Sequence, residues 1–228
     1  MLVTNNETRL AMNSDCTKQS GVPLCEAMSL ALVEAGCIFL LIELYIWRIR
    51  SAFPRFWLVI LALILISHAL RRETPRSLGF RAADFRRGAR ACAPWVAAVV
   101  AMALVLGAAL GTLRDVTFHW ALLSFLVYCV WGLIQQYLLN AYFVNRFAQA
   151  NARAPALAAA CFCLAHLPNW FLMPVTLAGG YVAARVYQAY RNLFLLGLAH
   201  GILGFTIYLV VPDTVTRHLY VGPRWFGG

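Results

Sequence analysis

Residues 120–145, WALLSFLVYCVWGLIQQYLLNAYFVN, pass 26 positions without a formal charge. At about 1.5 Å per residue that length crosses the roughly 30 Å hydrocarbon core of a bilayer, where only a helix satisfies its own backbone polar groups along a single segment. The stretch reads as a membrane helix, and the rest of the chain repeats the pattern. Candidate helices at 28–47, 53–70, 92–113, 120–147, 155–172, 176–189 and 193–211 predict an all-α polytopic transmembrane bundle of about seven helices with no soluble domain. The sixth is short and holds Gly179, Gly180 and Arg185, so a re-entrant or interfacial course stays open for it beside a spanning one.

The bulk composition agrees. With 62% hydrophobic and 12% charged residues over 228 positions and a mean hydropathy of +0.70, the chain lies outside the range of soluble domains. Four parts follow: a polar N-terminal segment at 1–27, three helices with a basic linker at 28–113, a core of four helices at 114–211, and a tail at 212–228. The first part lacks the short apolar core and small-residue cleavage site of a signal peptide, and none is expected. The seven cysteines form no framework and mostly fall in apolar runs, where a free thiol acts as a small hydrophobe.

A net charge of +10 raises nucleic acid as a partner, but the arginines cluster at the edges of apolar segments, which excludes a soluble basic face. Seven of them lie in RRETPRSLGFRAADFRRGAR, residues 71–90. The positive-inside rule makes this linker cytoplasmic and the N-terminus with it. Anionic lipid headgroups are its expected partner, with Leu78, Phe80 and Phe85 as an apolar side lying on the membrane surface; a solvated basic loop is the alternative.

Polar groups inside membrane helices cost free energy unless paired or wetted, so they point to function. On the fourth helix Gln135 and Gln136 sit side by side, and Asn140 follows Gln136 by four residues on one face. Interhelical hydrogen bonding is the plain alternative for them. On the fifth, His166 stands two residues before Pro168, which loosens the helix. On the last, His200 is flanked by Gly197, Gly201 and Gly204, small residues that admit a close neighbour. Measured from their cytoplasmic helix ends, Gln136, His166 and His200 lie about 15, 16 and 10 Å deep if all seven helices span. One shared cavity is expected, open to the cytoplasm.

These residues carry a resemblance. In the CAAX prenyl protease and bacteriocin-processing family of intramembrane endopeptidases, also called type II CAAX proteases, Glu-Glu-x-x-x-Arg is followed by Phe-x-x-x-His and then by His-x-x-x-Asn or Asp. Phe162-Cys-Leu-Ala-His166, continued by Leu-Pro-Asn, is similar to the second motif, and His200 matches the third, with Gly204 at the Asn or Asp position. Leu78-Gly79-Phe80 resembles the linker before the family's core. Gln135 and Gln136 fall at the glutamates and Asn140 at the arginine. The resemblance implies peptide hydrolysis at Gln135, Gln136, His166 and His200, supported by Asn140, Phe162 and Gly204, with a lipidated or membrane-embedded peptide as substrate.

In that family a glutamate activates water while the histidines and the asparagine bind it and stabilise the oxyanion. A glutamine amide accepts no proton near neutral pH, so the base must come from elsewhere or be absent. His166 or His200 is one source. Glu34, about 9 Å into the first helix, is another, unless it is simply solvated near the boundary. Glu43 is expected to pair with Arg48 or Arg50 instead. Cys163, three residues before His166, permits a Cys/His nucleophile or a metal ligand. No cofactor is assigned: His166 and His200 would be the ligands of any divalent metal, a poor set beside the usual three or four. Two further functions compete with proteolysis, a non-catalytic adaptor or chaperone that binds membrane peptides and a small transporter.

Overall fold

The computed structural model describes residues 24–150 and 153–227, and among them all regular structure is helical. Of the polar N-terminal segment expected over residues 1–27, residues 1–23 lie outside the described residues and 24–27 already belong to the first helix. The long elements are α1 (Leu24–Leu44), α2 (Trp57–Leu70), α3 (Phe85–Ala109), α4 (Phe118–Gln136), α5 (Ala154–Leu164), α6 (Leu172–Tyr190) and α7 (Leu193–Val210). A π-helical turn, Tyr45–Ile49, extends α1, and a longer one, Tyr137–Val144, carries α4 on into Asn145–Gln149.

Four of the helical stretches, Met28–Ala52, Phe85–Ala109, Phe118–Gln149 and Leu193–Val210, are long and apolar enough to cross a membrane. α2 and α5 are apolar but shorter. α6 has 19 residues, about 28 Å of helix, yet Gly179, Gly180 and Arg185 dilute its apolar character. Its ends nonetheless meet opposite ends of the bundle. Leu172 N bonds Asn169, whose side chain reaches Thr216 and Tyr220 in the tail, whereas Tyr187 bonds the carbonyl of Leu78 in the basic linker. The chain therefore runs up and down between a basic end and a tail end. Large apolar side chains such as Leu30, Leu65, Val105, Leu126, Trp131 and Val182 cover the outside, as a lipid-facing surface requires.

Three boundaries differ from expectation. α2 starts at Trp57, beyond Pro54, and α3 starts at Phe85, so that Arg86, Arg87 and Arg90 ride on its first turns. The expected fifth helix splits: α5 stops at Leu164, residues 165–171 form a turn, and α6 begins at Leu172. Pro168 supplies the reason, having no N–H to continue the ladder.

The linker also turns its apolar side inward instead of towards lipid. Leu78 is buried in the core, and the Phe80 ring packs between Tyr137 and Phe194, with centroids 5.9 Å from each. Gly79 makes this possible with φ +98°, and a Cβ there would meet Tyr187 Cε2 at 3.0 Å and Arg191 O at 3.1 Å. The linker is thus latched across the basic end: Leu193 N donates to Gly79 O, and Asn192 Nδ2 to the carbonyls of Arg81 and Ala83.

Candidate active site

α4 and α7 cross closely because small residues line the contact. A Cβ on Gly201 would lie 2.6 Å from Cys129 Cα, and one on Gly197 2.9 Å from Leu133 Cα. Such crossings let backbones approach and bring polar side chains of two helices within bonding reach. Here Gln136 Nε2 stands 3.0 Å from His200 Nδ1. Gly201→Ala is therefore expected to force the crossing apart, costing about 1–3 kcal/mol by overpacking, and to break this bond. A lowered thermal midpoint in detergent checks the first effect.

The π-helical segment opens directly after Gln136, a distortion that recurs at functional sites. Across it Asn140, fully buried, donates through Nδ2 to Gln136 Oε1 at 2.6 Å. Its Oδ1 is buried with no partner, which leaves an acceptor available. Gly204 lies one turn beyond His200, where a Cβ would meet the Tyr128 ring at 3.1 Å, so aromatic packing occupies the place of a polar side chain.

His166 follows the end of α5, in the turn before Pro168. Its Nδ1 donates to Phe162 O at 2.7 Å. The Phe162 ring stands edge-on to His166 with centroids 4.8 Å apart and to His200 at 6.1 Å, so one aromatic ring ties both imidazoles together.

The network assigns the tautomers. A carbonyl only accepts, so Nδ1 of His166 carries the proton and Nε2 keeps its lone pair. Gln136 Oε1 already accepts from Asn140, so its amide nitrogen donates to His200 Nδ1 and the His200 proton resides on Nε2. One imidazole is left as a proton acceptor and the other as a donor.

The remaining candidates fall outside this group. Gln135 is half-buried, with no hydrogen-bond partner among the described residues. Cys163 is a free thiol with no bond to His166, and its backbone carbonyl, not its sulfur, meets the His166 N–H at 3.0 Å. Glu43 accepts from Trp47 Nε1 at 3.2 Å and forms no ion pair with Arg48 or Arg50, a correction explained by Trp47 standing one helical turn away on the same face. Among the described residues no three His, Cys, Asp or Glu side chains converge as metal ligands.

Glu34 belongs to a second polar cluster that the sequence did not reveal. Arg146, 0% exposed, donates to Glu34 Oε1 at 2.9 Å and to Glu73 Oε1 and Oε2 at 3.1 and 2.8 Å. Ser67, Arg71 and Tyr142 also donate to Glu34, and His68 Nδ1 donates to Glu73 Oε2 at 2.6 Å. The cluster pins α1, α2, the linker and α4 together. His68 rests on Tyr137 with centroids 5.8 Å apart, and Tyr137 adjoins Gln136, so this clamp fixes the π-helical segment behind the site.

Burial pushes the Glu73 carboxyl up, but the hydrogen bonds from His68 and Arg146 and the Arg146 charge outweigh it, lowering the pKa from 4.5 to about 2. A carboxylate so depressed contributes stability that is complete above about pH 4.5 and lost as pH falls towards 2. Thermal midpoints measured over that window should drop in wild type and drop less in Glu73→Gln.

No curated protein and no solved structure matches the chain. A family model does, over the residues that build α4, α5, α6 and most of α7. Residues 117–206, which hold Gln136, Asn140, Phe162, His166 and His200, match the family described as type II CAAX prenyl endopeptidase Rce1-like, the family they resemble in sequence.

Proposed function

We propose that the chain is a CAAX-type intramembrane endopeptidase that hydrolyses peptide bonds of membrane-embedded or lipidated substrates. The observation that carries this reading is the hydrogen-bond chain Asn140–Gln136–His200, set beside the His166–Phe162 pair within the matched region. In this reading a water oxygen attacks the peptide carbonyl carbon while its proton passes to His166 Nε2. The oxyanion that forms accepts from His200 Nε2–H, held in place by Gln136. Collapse breaks the C–N bond, and the leaving amine takes the proton back from His166. Asn140 acts on Gln136, not on the substrate. Gln135, half-buried on the neighbouring face of α4 and without a hydrogen-bond partner among the described residues, is free to bond a substrate amide.

Buried apolar surroundings suit this chemistry, because donors aimed at a developing charge act more strongly away from bulk water. The latched linker and the Phe80 ring cap the basic end beside Tyr137, an arrangement compatible with a substrate that enters from the membrane. Arg72, Arg76, Arg86, Arg87 and Arg90 are exposed at that end and available to anionic headgroups.

The amides at Gln135 and Gln136 favour one second reading, an adaptor that binds a membrane peptide without cutting it. A panel of prenylated and membrane-segment peptides, incubated with purified protein in liposomes, separates the two. Cleavage lost in His200→Ala supports the peptidase. Tight binding without cleavage leaves the adaptor, and counterflow uptake with neither points to a transporter.

A further inference from the structure

At the tail end the chain builds a cavity of about 560 Å³ lined by Asp213, Arg217, His218, Tyr220, Arg224 and Trp225 among others. It lies beyond Val210, where α7 ends, at the opposite end of the bundle from the basic linker. Its sign is cationic. Asp213 is taken by Arg114 in a two-pronged pair at 2.9 and 3.0 Å, which holds its carboxyl below the usual range. Arg217 and Arg224 have no carboxylate partner among the described residues: their guanidinium carbons lie over the rings of Trp225 and Tyr220, each 5.8 Å from the centroid. Stacked in this way, each fork keeps its N–H donors free in the plane of the group.

The wall that carries Arg217 is held in an unusual form. Arg217, His218 and Leu219 take successive left-handed conformations, φ 47°, 55° and 59°, which L-residues rarely adopt even singly. Asn169, fully buried in the turn between α5 and α6, clamps both sides of this segment by donating to Thr216 O at 2.9 Å and Tyr220 O at 3.0 Å. Gly222 N closes the tail onto Leu167 O at 2.7 Å. Such strain persists where surrounding contacts enforce it, and it collects at ligand clamps.

We infer that this cavity binds the phosphate of an anionic phospholipid headgroup. Two guanidinium forks on the lining of one cavity supply donors that match phosphate oxygens in geometry and charge. The level fits as well: Phe226, 72% exposed, with Trp225 and Tyr220, forms the kind of aromatic cluster that sits at the membrane–water boundary, where lipid phosphates lie. This site is separate from the peptidase reading and does not depend on it.

The full chain in a neutral sugar detergent, titrated with dioctanoyl phosphatidylglycerol in a calorimeter, should show a saturable binding step. Arg217→Gln/Arg224→Gln should weaken it by roughly tenfold or more with an unchanged thermal midpoint, and Arg224→Gln alone by less. Arg153→Gln, exposed at the start of α5 and away from the tail, should leave it intact. Unchanged affinity in the double variant would overturn the assignment, as would equal binding of dioctanoylglycerol, which lacks the phosphate. Inorganic phosphate binding as tightly as the lipid would overturn the lipid as its source. Should the double variant prove unstable, the single variant decides: no loss of affinity in Arg224→Gln counts against the site.

Discussion

Arg146→Ala is expected to lower the stability of the folded bundle by about 3–5 kcal/mol, the cost of leaving buried carboxylates without their counter-charge. Arg146 is 0% exposed and bridges Glu34 and Glu73, whose side chains are only 23% and 14% exposed. Removing it strands both. Arg146→Lys keeps the charge but reaches fewer of the acceptors, so it should fall between the two. The triple change Arg146→Met/Glu34→Gln/Glu73→Gln should recover much of the loss, because it removes the charges together. Thermal unfolding in detergent reads all three. A midpoint in Arg146→Ala equal to wild type would mean that water reaches the cluster and that it clamps nothing.

His166→Ala should reduce kcat/KM for peptide cleavage by about 10²–10⁴-fold, the contribution of a positioned proton acceptor. KM should change little, since the reading gives His166 no part in holding the substrate. His200→Ala should lower kcat by about 10²–10³-fold through loss of an oxyanion donor. The two should differ in pH dependence. Loss of the base removes the acid limb of the kcat/KM profile, whereas loss of the donor lowers the profile and keeps its shape. Identical profiles in both variants would contradict the division of roles drawn from the tautomers. Gln136→Glu places a carboxylate against His200 Nδ1, where the amide nitrogen now donates, and so tests whether an acid at this position adds a second base.

Much of this fold was legible from apolar run length alone, because a membrane span declares itself by twenty or so uncharged residues. α1, α4 and α7 lie where 28–47, 120–147 and 193–211 placed them. The split at Pro168 was half legible: the proline marked a loosened helix, but the reversal into α6 depends on Asn169 tying the turn to the tail, a contact across 47 and 51 residues. The meeting of Gln136 with His200 was foreshadowed by depth and by the glycines of α7. What depth could not show is that Gln135, one residue away, points out of the network, since adjacent helical positions differ by about 100°.

The Glu34–Arg146–Glu73 cluster was illegible for a related reason. Each member sits near a span boundary, where sequence reading assigns charges to solvent or headgroups, and only tertiary packing turns them inward. The inward course of Leu78 and Phe80 was missed likewise, because an apolar side on a basic segment fits a membrane surface as well as a bundle cap.

The most direct measurement is hydrolysis in heavy-oxygen water. Wild-type protein in liposomes is given a prenylated peptide and the products are weighed by mass spectrometry. One label is expected in the new carboxylate of the cleaved peptide, with product from His166→Ala reduced by about 10²–10⁴-fold. An intact peptide with wild type, or labelled product formed equally by His166→Ala, would contradict it.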